Sequence, residues 1–265
     1  MIKFFTLKIL QLFDLYYQKK LFKYLRKINY KNFEIFFDVG AHKGESINLF
    51  TNNFKIKKIY SFEPSSINYK ILHENTKLYE KKFKDLEIFT ENYALGRENK
   101  SLLIKQLEES SSSTINEINT KSNYFKRKSL FLNFFKKKHF YKELKIKQTT
   151  LSDYINNNKI LRVDFLKIDT EGYEYDVLLG LKKNFSKISL IMFEHHYHDM
   201  LLKNYVFRDI HNLLISNNFK QIYKYKMPFR KTFEYVYEKK KELINSGEKE
   251  FYSPESPEGF KKKKH

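Results

Sequence analysis

The chain has 265 residues, no cysteine and a formal charge of +20. That length accommodates one α/β domain with a buried core plus appendages, and the missing cysteine excludes disulfides, zinc ribbons, iron-sulfur clusters and thiol nucleophiles. The charge favours polyanions at long range, yet the basic residues are spread along a chain crowded with Lys, Asn, Ile, Phe and Tyr, as A/T-rich coding would give, so background composition is the first explanation.

The N-terminal MIKFFTLKILQLFDLYYQKKLFKYLRK does not read as a signal peptide, because Lys8, Gln11 and Asp14 interrupt it and no small-residue cleavage site follows. It is too polar to span a bilayer. On a helix, Lys8, Gln11, Asp14 and Gln18 share one narrow stripe and leave a wide apolar face, followed by Lys19, Lys20, Lys23, Arg26 and Lys27. Residues 1–31 are therefore read as an amphipathic helix packed on the domain or on a partner. The alternative is a basic anchor on an anionic membrane surface, at the inner face of the membrane of a cytoplasmic protein.

Apolar runs from Glu34 to Val39 and from Lys58 to Phe62 flank a helical stretch carrying Ile47, Phe50 and Phe54, which is a β-α-β unit. Ile67 to Tyr79 is predicted helical, opened by Pro64-Ser65-Ser66, and Leu86 to Tyr93 and Ser101 to Leu107 are extended. Residues 108–143 break the pattern and read as an inserted lid over one end of the sheet. Alternation resumes with Leu144 to Thr149, a short helix from Asp153, the strand VDFLKID, a helix from Tyr173 to Leu181, the strand ISLIMFE and a helix near Val206 to Ser216. FKQIYKY and FEYVYEK then make a hairpin, an antiparallel edge. Residues 32–238 are one domain, and the tail 239–265, rich in Lys, Glu, Ser and Pro, is expected to be disordered.

This alternation predicts a Rossmann-like, doubly wound and mostly parallel α/β sheet with ligands beyond the carboxyl ends of its strands. In DVGAHKG, Gly40 permits a sharp turn after the first strand and Gly44 a close approach at the next helix. No Lys-Ser/Thr follows the second glycine, as a P-loop requires, and Ala41 stands where a dinucleotide fingerprint has its middle glycine. Glu63 ends the second strand, where an acid accepts hydrogen bonds from both hydroxyls of a ribose. Asp38 ends the first, near the expected place of a free ammonium. A ligand with a ribose, a cation and no phosphate fits S-adenosyl-L-methionine.

The blocks FFDVGAHKGES, IYSFEPSSINYKIL, ENYALG, TTLSDYI, DFLKIDTEGYEYDVLLGL and ISLIMFEHH occur in this order over residues 35–196. As a set they resemble the FkbM-type SAM-dependent methyltransferases, a class I methyltransferase family. The resemblance implies a cofactor site with Asp38, Gly40, Ala41 and Gly44 around the methionine part, Glu63 on the ribose, and Tyr93 and Ala94 facing the adenine. It also implies hydroxyls of sugars and other small or polymer-linked metabolites as acceptors, a glycan hydroxyl first.

Methyl transfer to an alcohol needs an aligned nucleophile and a route for its proton. Asp169 and Glu171 in KIDTEG, and Glu194 with His195 and His196, end adjacent strands and are expected on one lip of the sheet. His195 or Asp169 is the candidate general base, with Glu171 orienting; Glu171 reads equally as an acid of the first helical turn. A divalent cation on Asp169, Glu171, Glu194 and a histidine is the less favoured arrangement, since no tight ligand spacing announces it. His42 and His198 are expected in solvent. Without cysteine or an Asn-Pro-Pro-aromatic motif, oxygen is the expected acceptor. The competing function is RNA methylation or RNA binding by the insertion, where Phe125, Phe131, Phe134, Phe135, Phe140 and Tyr141 interleave with Lys and Arg.

Overall fold

The N-terminal segment forms a helix, α1 (Ile2–Lys27), and its second half is held by apolar packing. Leu21, Phe22 and Leu25 are fully buried. The Phe22 ring lies 5.1 Å from that of Phe50 and 5.2 Å from that of Phe54. This is a computed structural model, and it describes residues 2–107, 113–114, 119, 121–123, 141–228 and 230–241. The basic aromatic stretch of the insertion, residues 124–140, and the tail beyond 241 lie outside the described residues.

Along the chain follow β1 (Asn32–Val39), α2 (Glu45–Thr51), β2 (Lys55–Phe62), α3 (Ser66–Lys82), β3 (Glu87–Glu91), β4 (Ala94–Leu95), β5 (Lys100–Leu107), β6 (Ser113–Thr114) and β7 (Tyr141–Thr149). Then come α4 (Leu151–Asn157), β8 (Val163–Ile168), α5 (Glu174–Leu179), a 3-10 turn (Lys182–Lys187), β9 (Ile188–His196), α6 (Phe207–Ser216), β10 (Phe219–Lys226) and β11 (Thr232–Lys239). Seven strands form one sheet in the order β10-β11-β9-β8-β1-β2-β3. The five from β9 to β3 are parallel to their neighbours, and β11 runs antiparallel between β9 and β10. This is the doubly wound sheet with a hairpin edge that the alternation predicts.

One arrangement differs from expectation. The extended segments after β3 do not join the main sheet but form a second one, ordered β4-β7-β5-β6, in which β5 and β7 pair antiparallel from Lys100 to Leu107. Ala94, Ile104 and Ile146 form a small apolar cluster of their own on this sheet, while Leu95 of β4 joins the main core.

Side-chain alternation along the central strands positions the site. Phe37, Val39, Leu166, Ile168, Ile191 and Phe193 enter one core layer, and Phe36, Phe165, Leu190 and Met192 the other. By the same period of two, Asp38, Lys167 and Glu194 fall on the second layer's face, toward α1 and α2, at the carboxyl end of their strands. Asp38 is registered opposite Lys167. His195 shares the parity of Phe193 and turns to the opposite face.

Because Phe22 joins α1 to the core, Phe22→Ala is expected to lower unfolding stability by about 3–5 kcal/mol. Urea denaturation checks this. A change within the roughly 0.5 kcal/mol of a surface substitution would detach the helix from the fold.

Candidate active site

A cleft of about 550 Å³ opens at the carboxyl ends of the parallel strands. Four of the five parallel strands contribute: Gly40, Ala41 and His42 after β1, Glu63 after β2, Tyr93 and Ala94 after β3, and Asp169 and Glu171 after β8. Leu15 and Gln18 of α1 complete its wall.

Gly40 has φ +81°, and a Cβ there would stand 1.9 Å from the backbone oxygen of Asp169. The turn is thus tight for two reasons, its left-handed backbone and the close approach of the neighbouring strand end. Gly44 is different. It is absent from the cleft lining, and a Cβ there would meet Leu72 and Tyr79 of α3 at 3.2 and 3.3 Å, so the position serves helix packing and not the ligand approach read from sequence.

Glu63 is 3% exposed and its two oxygens accept the backbone N–H groups of His42 and Ser65, each at 2.9 Å. A carboxylate offers about four acceptor sites, so capacity remains on the cleft side. Burial pushes the Glu63 pKa up, to about 7, against the lowering effect of those two N–H donors. Asn92 braces this strand end by donating to the Glu63 carbonyl at 2.9 Å. His42, expected in solvent, lines the cleft, with Nδ1 2.9 Å from Glu45 Oε1.

Behind the cleft lies a charged row. Lys167, 7% exposed, places Nζ 3.3 Å from Asp38 Oδ1 and 3.2 Å from Asp169 Oδ2. Burial opposes the lysine charge, but the Asp169 and Asp38 carboxylates outweigh it and hold the pKa above the usual lysine range. Asp38 is fully buried, does not line the cleft, and is pushed upward by burial despite Lys167. Its carboxylate faces the lysine beneath the Gly40 turn and is not among the groups that line the cleft. The Asp169 side chain is 39% exposed to the cleft. Burial pushes its pKa up, but Lys167 prevails and holds it below the ordinary carboxylate range, helped by a hydrogen bond with Glu194. Burial, and after it the nearby Asp169 and Glu171 carboxylates, raise the Glu194 pKa well above that range.

The histidine facing these acids is His196, whose Nε2 lies 3.4 Å from Glu171 Oε2 and 3.9 Å from Glu194 Oε1. His195, the sequence candidate for general base, is outside the cleft. It is 2% exposed, packed near Tyr197, Tyr205 and Phe207 with ring distances of 4.7, 5.8 and 5.8 Å, and burial lowers its pKa to about 3. Strand alternation is the reason for the exchange. His198, expected in solvent, is 7% exposed, receives the Met200 N–H on Nδ1 and meets His196 edge-on.

Glu171 is not in a helical turn. It has φ +50° and precedes Gly172 at φ +95°, an uncommon conformation for a side-chain-bearing residue. The first helical acid is Glu174, fully buried, which accepts the Gly172 N–H at 2.8 Å, the Thr170 hydroxyl at 3.2 Å and the Tyr205 hydroxyl. It holds the turn that presents Glu171. Lys167, Glu174 and the cleft wall from α1 were missed in sequence; a lysine inside the apolar run FLKI, two positions before Asp169, was the available signal for Lys167. Among the described residues, no group of three or more His, Asp or Glu side chains is arranged to hold a metal ion.

The seven-stranded sheet with one antiparallel strand inside its hairpin edge, and a glycine turn facing an acid at the next strand end, define a Rossmann-like class I methyltransferase. The chain belongs to the FkbM methyltransferase family: the Methyltransferase FkbM domain matches residues 38–225. No curated protein matches it. Among solved structures it is similar to methyltransferase FkbM from Methylobacillus flagellatus KT, at 18% identity and a TM-score of 0.49 over 77% of this chain and 43% of that one. It thus spans less than half of that protein. It is also similar to M. capricolum TrmK in complex with S-adenosyl-homocysteine, at 15% identity and a TM-score of 0.46 over 83% and 68% of the two chains. A third is the magnesium protoporphyrin IX methyltransferase of Synechocystis PCC 6803 with bound SAM, at 9% identity and 0.48 over 86% and 81%.

Proposed function

We propose that this methyltransferase uses S-adenosyl-L-methionine to methylate a hydroxyl of a sugar or a glycan-linked metabolite. The observation that carries the reading is the convergence of Asp169 and Glu171 on the cleft that Gly40, Ala41 and Glu63 also line. The cleft has the size of a small-molecule site, and the acceptor capacity left on buried Glu63 suits the two hydroxyls of a ribose. Gly40 and Ala41 would hold the methionine part, with Gly44 and Asp38 supporting that turn from behind, and Tyr93 and Ala94 would face the adenine. When bound, the cofactor supplies a methyl group made electrophilic by its sulfonium.

The chain's own residues handle the acceptor. Carboxylates are strong acceptors for sugar hydroxyls, and two of them on one wall suit a polyol. Asp169, fixed by Lys167 and Glu194, accepts the hydrogen bond of the reacting hydroxyl and receives its proton. Glu171, held by the Glu174 turn and paired with His196, orients a neighbouring hydroxyl. In the acceptor assay, S-adenosylhomocysteine is expected to form when a saccharide fraction is added and not when RNA is added; the reverse outcome overturns the acceptor class.

The ribose contact has its own pH signature. With a free-protein pKa of about 7, Glu63 must lose a proton to accept both hydroxyls as a carboxylate. Cofactor affinity is therefore expected to be level above that pH and to fall below it, by up to about tenfold per unit. Glu63→Gln should flatten the profile and weaken binding by about 1.5–3 kcal/mol. Titration calorimetry giving a level wild-type profile would remove Glu63 from the ribose.

A further inference from the structure

The helix α1 lies outside the residues matched by the family, yet Leu15 and Gln18 wall the cleft. Its inward face carries Leu21, Phe22 and Leu25, whereas Lys19, Lys20, Lys23, Arg26 and Lys27 are exposed. Residues 15–27 hold no acid at all. Tyr16, 53% exposed, shares the helix side of Lys20, Lys23 and Lys27, and Leu15, 45% exposed, stands at the edge of the inward face one heptad before Phe22. The Lys20 ammonium stands 4.6 Å from the centre of the Tyr16 ring. In sequence, Ile2, Phe5, Ile9 and Leu12 recur at three- and four-residue spacing back from Tyr16.

An apolar and aromatic stripe running into lysines along one side is the pattern of a helix lying in a membrane interface, where rings sit at the headgroups and lysine stems reach the phosphates. No helix among the described residues is long and apolar enough to cross a membrane, so α1 would lie along the surface. A nucleic acid would meet the lysines, whereas a lipid surface meets the lysines and also takes up the exposed Tyr16. We infer that α1 docks the cleft on an anionic lipid surface. On the function proposed above, the acceptor hydroxyl then belongs to an amphiphile held in that surface, such as a lipid-linked saccharide, since the cleft wall at Leu15 adjoins the exposed Tyr16.

The test is cosedimentation of the full chain with phosphatidylcholine vesicles, with and without phosphatidylglycerol. Retention is expected on the anionic vesicles alone and should fall as salt rises. Combining Lys19→Glu, Lys20→Glu and Lys23→Glu should lower partitioning by about a hundredfold or more, at roughly fivefold per charge removed. Tyr16→Ser should lower it several-fold. Unfolding midpoints confirm that both variants remain folded. Equal retention on neutral vesicles, or an unchanged triple variant, overturns the inference. So does a solution dimer that Tyr16→Ser dissociates, or a lysine-dependent, Tyr16-independent complex with an RNA oligonucleotide that displaces the vesicles. Retention is read without cofactor, so its failure leaves methyl transfer standing, and absence of cofactor binding with retention intact would sink only the enzymatic reading.

Discussion

Asp169→Ala is expected to cut turnover by about 100-fold or more while leaving cofactor affinity within a few-fold. The expectation rests on position: Asp169 alone combines an exposed cleft face with direct contact to both Lys167 and Glu194. Its depressed pKa also sets the direction of the pH response. The carboxylate is charged throughout the neutral range, and activity that depends on it is lost only as pH falls through its lowered pKa. His195→Ala, by contrast, is expected to act on stability with little effect on kcat, because that ring is buried away from the cleft. Steady-state kinetics beside calorimetry separate the two. Loss of cofactor binding by folded Asp169→Ala would move the carboxylate to the cofactor side. Activity abolished by a chelator and restored by magnesium would make it a ligand.

The second large effect is expected at Lys167. Replacing it by Met removes the one cation between Asp38 and Asp169 and leaves two acids facing each other at a buried site. Breaking such a group from one side costs about 3–5 kcal/mol. Adding Asp38→Asn removes one of the two charges left behind and should restore part of that loss, a coupling that denaturant unfolding of the two single variants and the double variant measures. In the folded double variant Asp169 should titrate higher than in the wild type, since the ammonium that depresses it is gone. The acidic limb of kcat/KM should therefore move to higher pH. A Lys167→Met protein as stable as wild type, with an unmoved limb, would show that the row has no such role.

These effects also mark where the sequence was readable. The strands announced themselves through runs such as FFDV and VDFLKID, and the glycine turn and Glu63 stood out because strand ends in a doubly wound sheet carry the ligand. The second sheet was hidden. Residues 101–107 and 144–149 look extended, but partner choice depends on contacts far apart in sequence. The His195 and His196 exchange was within reach: counting by twos from Phe193, a core residue, puts His195 with the core and His196 with Glu194. Asp38 and Gly44 fit a cofactor motif, yet their side-chain environments, a buried lysine and the flank of α3, are tertiary facts that no local pattern carries. Glu174 was masked for a similar reason, since its role is to close a left-handed turn two residues before it.

The most direct measurement of the central claim follows the methyl group. The protein would be incubated with methyl-13C S-adenosyl-L-methionine and the glycan and glycolipid fraction of cells, and the labelled product examined by carbon NMR. Appearance of the label as an alkali-stable O-methyl ether on a saccharide, absent with Asp169→Ala, is the expected result. Label recovered on nitrogen, in RNA, or nowhere while the protein binds the cofactor would contradict it.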